Sequence, residues 1–211
     1  MRDTDPRRRP GPDDALLAAA LAPPEPGELA ALREALATRA AAAGLLDVAY
    51  RLVDSPVGTL LLAATDAGLV RVAFAIEGFE AVLDDLAEQI SPRLLAGSAR
   101  LEAPARELDE YFDGHRQTFD LELDLRLSSG FRRSVVERLA QIPYGQHTSY
   151  GALAAQLERP RASRAVGTAC ATNPLPVILP CHRVLRADGS LGGYLGGTTA
   201  KRWLLDHEHA A

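Results

Sequence analysis

Cysteine is nearly absent: Cys170 and Cys181 are the two thiols in 211 residues. Two cysteines cannot form a disulfide framework, and without a CxxC pair or further Cys/His partners at ligand spacing they give no reason to expect a structural zinc. Long apolar runs are missing too. None approaches the roughly 20 residues needed to span a bilayer, so no membrane association is expected. The opening MRDTDPRRRPGPDD is charged but is not followed by an apolar stretch with a small-residue cleavage site. No secretory signal is read there, and the cytoplasm is the expected compartment. Lysine is the scarcest charge, with Lys201 standing alone beside 22 arginines. The formal net charge of −5 argues against a general nucleic-acid binder, but the sign is unevenly spread. Residues 128–211 hold 10 Arg/Lys against 5 Asp/Glu, whereas residues 1–127 hold 13 against 23. The C-terminal part is therefore the half suited to an anionic partner.

What is present fits a soluble globular chain, with 47% hydrophobic and 24% charged residues and enough length for one large or two small domains. Residues 1–46 are an extension. Its first 27 residues are rich in Pro, Asp and Arg, a composition that favours disorder, and residues 28–44 form a helix that Gly44 stops. From residue 47, β-branched and apolar runs broken at SPVG and TDAG predict an antiparallel meander. GFEAVLDDLAEQI and PARELDEYFDG predict helices, the second with Leu108, Tyr111 and Phe112 on one face, and QTFDLELDLRL alternates as a strand does. Residues 47–127 thus make a small α+β domain. Residues 128–211 predict a mainly helical domain: SGFRRSVVERLAQIP, then SYGALAAQL, a break at ERP, and RASRAVGTACATN give helix, tight turn, helix. PVILPCHRVL predicts a short buried strand, RADGSLGGYLGG a glycine-rich loop, and TAKRWLLDHEHA a closing helix.

LPCHRV places Cys181 and His182 side by side after a proline. On a strand, neighbours point to opposite faces, so no direct thiolate–imidazolium contact is expected, and a buried cysteine is otherwise an ordinary small core residue. Prolines at 174, 176 and 180 stiffen the approach to it. The helix bearing Arg161 and Arg164 is otherwise small, with Ala165, Gly167 and Ala169, so it is either packed in a core or able to approach a DNA groove closely. The histidines of HEH at 207–209 lie two apart, which suits neither one helix face nor HExxH, so no metal site is read there.

IPYGQHTSYGALA, SRAVGTACATNPLPVILPCHRV, GGYLGG and KRWLLDHE, in that order, resemble the O6-alkylguanine-DNA alkyltransferases, and the likeness extends in layout over residues 47–211. It implies an α+β scaffold domain followed by a winged-helix-like domain that binds double-stranded DNA through the minor groove as a monomer, without a cofactor. It implies a single-turnover repair in which Cys181 takes an alkyl group from guanine O6 of a flipped nucleotide. A soft, strong nucleophile is what displacement at an sp³ carbon requires. The resemblance gives His182 and Glu208 the role of activating the thiol through a bridging water. Tyr150 would assist guanine N3, and Lys201 would support the thiolate. Asn173 is the hinge, Arg164 the finger that replaces the flipped base, and Gly193, Tyr194, Leu195 and Gly196, with Val184, the lining of the base site. Arg161, Ala165, Gly167, Ala169, Thr148 and Ser149 form the DNA face. Leu195 stands where some members have serine, which leaves only its backbone for polar contact. A DNA-binding alkylation sensor or regulator is the alternative, and the absence of a zinc module weighs against it.

Overall fold

The computed structural model describes residues 26–97 and 99–210. Of the tail expected over residues 1–27, residues 1–25 lie outside the described residues, and residues 26 and 27 belong to the first helix. The first helix, α1 (Pro26–Ala42), buries Ala37 and ends at Gly44, whose φ of 65° is a left-handed conformation that favours glycine.

The meander forms as the turn signals predict: β1 (Val48–Val53), β2 (Leu60–Thr65) and β3 (Gly68–Phe74) pair antiparallel. A short fourth strand, β4 (Leu94–Ala96), joins β1 in parallel, giving the order β3-β2-β1-β4. The sheet is covered on both faces. Val48, Leu61, Ala63, Val70 and Ala73 pack against Val82 and Leu86 of α2 (Phe79–Gln89), while Ala49, Leu60, Leu62, Leu69, Val72 and Phe74 face the main core. Burial on both faces explains why β2, LLLAAT, reads as one apolar run instead of alternating.

α3 (Glu102–Phe112) buries Leu108 and Tyr111 into that core, on the face the spacing predicts. The alternating segment QTFDLELDLRL does not become a strand. It lies along the free edge of β3 and meets it at one bridge, Leu69 to Leu123, with Leu121, Leu123 and Leu125 packed on the main core. Gly68 permits this approach: a Cβ there would come within 2.3 Å of the Glu122 carbonyl oxygen. The alternation therefore records one buried side, not a ladder of hydrogen bonds.

The helical part consists of α4 (Gly130–Leu139), α5 (Tyr150–Gln156), α6 (Ser163–Ala171) and α7 (Gly197–Ala210). Ser149 caps α5, its hydroxyl accepting from Ala152 N at 3.1 Å. α5, the turn at 157–162 and α6 form the predicted helix-turn-helix. The two parts share the main core, and β3 reaches directly into the helical part through Val72 N, which donates to Pro174 O at 2.8 Å.

Among the described residues, no helix is long and apolar enough to cross a membrane.

Candidate active site

Cys181 does not lie on a strand. Residues Cys181–Arg183 form one 3-10 turn, and the strand that follows, β6 (Val184–Leu185), is two residues long and pairs in parallel with β5 (Thr148–Ser149). The prolines explain the difference: Pro174, Pro176 and Pro180 lack the amide that a ladder needs, and Val177 between them is held at φ 72°. A β-branched residue in that region is strained, so the Cys181 turn is approached through a backbone fixed by its surroundings. Asn173 is part of that fixing. Its side-chain amide donates to Leu179 O at 2.8 Å and its carbonyl oxygen accepts from Leu175 N at 3.1 Å, which spans the loop from α6 to the thiol.

Cys181 and His182 are 2% and 0% exposed, and the carboxylate of Glu208, on α7, is the hub beneath them. Glu208 Oε1 accepts from His182 Nε2 and from the Tyr111 hydroxyl, both at 2.8 Å, and from Arg183 Nη2 at 2.9 Å. Oε2 accepts from Arg183 Nε at 2.8 Å and from Gly145 N at 3.2 Å. Burial alone would raise the Glu208 pKa, but the bonds from His182 and Arg183 outweigh it and hold the pKa down to about 2. An ionised carboxylate can only accept, so Nε2 of a neutral His182 carries the proton and Nδ1 is left as the acceptor. Nδ1 is buried and has no hydrogen-bond partner among the described residues.

The thiol is stored as a thiol. Burial pushes the Cys181 pKa up to about 11, with the Asn173 amide and the Lys201 charge partly offsetting that. Burial likewise lowers the pKa of His182 against the pull of Glu208, which keeps the imidazole neutral. Lys201 is fully buried, donates to Val184 O at 2.7 Å and lies 5.9 Å from the centre of the Tyr150 ring. Its pKa is lowered, first by burial, while the two cysteines act the other way. Cys181 and His182 are thus both held in their neutral forms.

The other residues singled out in the sequence divide into two groups. Val184 is buried, Tyr150 half-buried, and Tyr194 packs edge-on against His182 and Phe74, with ring centres 6.3 Å and 5.5 Å away. The Tyr194 hydroxyl is buried, and its pKa is raised well above the ordinary value by that burial and by Cys181. Gly196 lies against Phe74 and Gly193 is exposed, while Leu195 lines a crevice of about 330 Å³ with Arg71, Glu77 and Pro174. Arg161, Arg164 and Ala165 form an exposed face of the helix-turn-helix, with Thr148 and Ser149 half-buried. Gly167 is half-buried, and a Cβ there would be in ordinary contact with the Tyr150 ring. Ala169 corrects the expectation: it is 2% exposed within the main core, so its small size serves packing and offers no surface to DNA.

Three residues of the site were not anticipated. Arg183 stands inside the PCHRV motif, yet its bidentate grip on Glu208 shows only in three dimensions. Tyr111 comes from the other half of the molecule, and nothing local marks its hydroxyl as bound to a residue 97 positions later. Gly192 abuts Tyr150, whose hydroxyl would be 2.3 Å from any Cβ placed there. No group of three or more His, Cys, Asp or Glu among the described residues is placed to hold a metal ion.

Comparison with known proteins agrees along the chain. The family described as "6-O-methylguanine DNA methyltransferase, ribonuclease-like domain" matches residues 48–125, and "6-O-methylguanine DNA methyltransferase, DNA binding domain" matches residues 130–210. A methylated-DNA–protein-cysteine methyltransferase of Mycolicibacterium paratuberculosis is 42% identical over 158 residues, covering 75% of this chain and 90% of that protein. The crystal structure of the Mycobacterium tuberculosis O6-methylguanine methyltransferase superposes with a TM-score of 0.68 at 38% identity, covering 77% of this chain and 93% of that one. A structure of the same organism's protein in complex with DNA gives 0.66 at 39% identity, with the same coverage.

Proposed function

The chain belongs to the 6-O-methylguanine DNA methyltransferase family, and from that premise we propose how its own residues carry out the repair. It is a methylated-DNA–protein-cysteine methyltransferase that removes alkyl damage directly, and damaged DNA is its partner. The substrate is O6-alkylguanine in double-stranded DNA, Cys181 is the acceptor, and the protein acts once, as a monomer in the cytoplasm. Residues 47–127 are the scaffold domain and residues 128–211 the domain that binds DNA and reacts. Residues 1–46 are an extension to both.

The observation that carries the reading is a buried His182 bonded through Nε2 to an ionised Glu208, with its Nδ1 unpartnered among the described residues and the buried Cys181 thiol next to it in the chain. His182 Nδ1 takes the thiol proton through a bridging water, and Glu208 stabilises the imidazolium that results. The sulfur forms a bond to the alkyl carbon as the bond from that carbon to O6 breaks, and the electron pair of the broken bond stays with guanine. Tyr150 supplies a proton or hydrogen bond at guanine N3, and Lys201 favours the thiolate over the thiol. Asn173 and Val184 fix the floor of the base site, and Tyr194 with Gly193, Leu195 and Gly196 lines its side. The thioether is stable, which ends activity after one transfer. Incubation with excess O6-methylguanine duplex should add one methyl mass to each protein molecule. No added mass, or release of more than one equivalent of repaired guanine, sinks the reading.

DNA binds across the exposed face of α5 and α6 and presents its minor groove to Arg161, Arg164, Ala165 and Gly167, with Thr148 and Ser149 at the edge. Arg164, in the first turn of α6, occupies the stack in place of the extruded nucleotide. Extrusion costs a few kcal/mol, so Arg164→Ala should slow transfer about 10-fold or more while weakening duplex binding only by about one phosphate-type contact. Single-turnover rates set beside anisotropy titrations of a labelled duplex separate the two. Equal losses in both would remove the finger role.

A further inference from the structure

We propose that Tyr111 is a positioning residue for alkyl transfer: through its hydrogen bond to Glu208 Oε1, the N-terminal part of the molecule sets how strongly Glu208 draws His182 toward the imidazolium. This rests on the reading of Cys181 as acceptor and His182 as the group that takes its proton. Tyr111 is fully buried on α3, and its ring packs against Phe112, Phe119, Tyr144 and His207. It meets the same carboxylate oxygen that His182 Nε2 meets, each at 2.8 Å.

Three donors share that oxygen, His182 Nε2, the Tyr111 hydroxyl and Arg183 Nη2, and they compete for its charge. The phenol stays protonated throughout, since burial first and then Glu208 raise its pKa far above the ordinary value. The Tyr111 hydroxyl is therefore a constant donor, and each hydrogen bond it makes to Oε1 weakens the pull of that oxygen on the His182 N–H. The other charged and titratable groups around this pair are Arg183 on the same turn, Lys201 and His207 on α7, Tyr144, Tyr194 and Cys181, with His207 packed edge-on against the Tyr111 ring and its Nε2 2.8 Å from Tyr111 O. Arg183 and Lys201 disfavour the imidazolium as Tyr111 does, and a change at Tyr111 leaves both in place. His182 must be neutral to accept the thiol proton, so the rate of transfer should fall off on the acid side as His182 becomes protonated.

The sign follows. Tyr111→Phe keeps the ring and removes the donor, the carboxylate pulls harder on His182, its pKa rises, and the acid limb of the pH–rate profile moves to higher pH. The test is the single-turnover rate of methyl transfer from an O6-methylguanine duplex to the full chain, measured across pH for wild type and variant. A displacement of about half to one pH unit is expected, read as a lower rate on the acid side, with the variant overtaking wild type at higher pH because the stronger pull also makes His182 the better base. A second variant with 3-fluorotyrosine at position 111 retains ring and hydroxyl and donates more strongly, so its limb should move to lower pH. It decides the matter if Tyr111→Phe does not fold. An unmoved limb in either folded variant, or a drop by one constant factor at every pH, overturns the positioning role and leaves Tyr111 as packing. A wild-type protein that transfers no methyl group, or whose rate shows no acid limb, overturns the underlying reading of Cys181 and His182 instead.

Discussion

Cys181→Ser should accept no methyl group from an O6-methylguanine duplex, with the transfer rate reduced by more than about 10³-fold, while the protein folds and binds DNA. Displacement at an sp³ carbon depends on a polarisable nucleophile, and serine at this position offers a harder oxygen whose proton is still less available than that of a thiol already pushed to about 11. The substitution is close to isosteric in a site 2% exposed, and the new hydroxyl can use the Asn173 amide beside it, so little of the fold is at stake. Mass spectrometry after incubation with excess duplex reads the transfer, and anisotropy with a labelled duplex reads the binding. The outcome that would reassign the acceptor is a methyl group found on Cys170. That thiol lies on α6, buried, with its pKa raised further than that of Cys181, first by burial and then by Cys181 itself. It is the less available of the two, and no methyl mass is expected on it.

Most of the elements were legible because their signals are local. The meander turns and the apolar face of α3 follow from residues within one turn or one hairpin of each other. Two segments were misread for a shared reason. QTFDLELDLRL has the period of a strand but docks on an edge where Gly68 admits it for a single bridge, and PVILPCHRVL has strand composition but prolines that cannot donate to a ladder. In both, hydrophobic pattern reports which side is buried and says nothing of where the backbone hydrogen bonds go. Cys181, His182 and Glu208 stand in recognisable motifs. The remaining donors to Glu208 do not, because a tyrosine on a buried helix face is indistinguishable from a core aromatic until the fold brings α3 against α7. Ala169 was misplaced for the converse reason: small residues suit both a groove-facing and a core-facing side of α6, and only packing separates them.

Glu208→Gln is the substitution with the largest expected effect on stability, about 3–5 kcal/mol against a total that for most domains is about 5–15 kcal/mol. Shape is conserved, so the cost comes from hydrogen bonds and charge. An amide nitrogen in the Oε2 position would face Arg183 Nε and Gly145 N, donor against donor, and in the Oε1 position it would face Tyr111, His182 and Arg183 Nη2. Neither orientation satisfies the donors, and the buried Arg183 guanidinium loses its counter-charge. Transfer should also fall severely, since the imidazolium formed on His182 would have no carboxylate beside it. The linkage gives a sharper check than the magnitude. A carboxyl held near 2 in the folded protein and near 4.5 when unfolded contributes stability that is present above 4.5 and lost as pH falls through 2. Glutamine has no such proton. The gap in unfolding free energy between wild type and Glu208→Gln, measured by chemical denaturation, should therefore be widest near neutral pH and shrink as pH falls from about 4.5 toward 2. A gap below about 1 kcal/mol at neutral pH, or one that stays constant over that window, would mean that Glu208 is not the charged hub on which His182 and Arg183 rest.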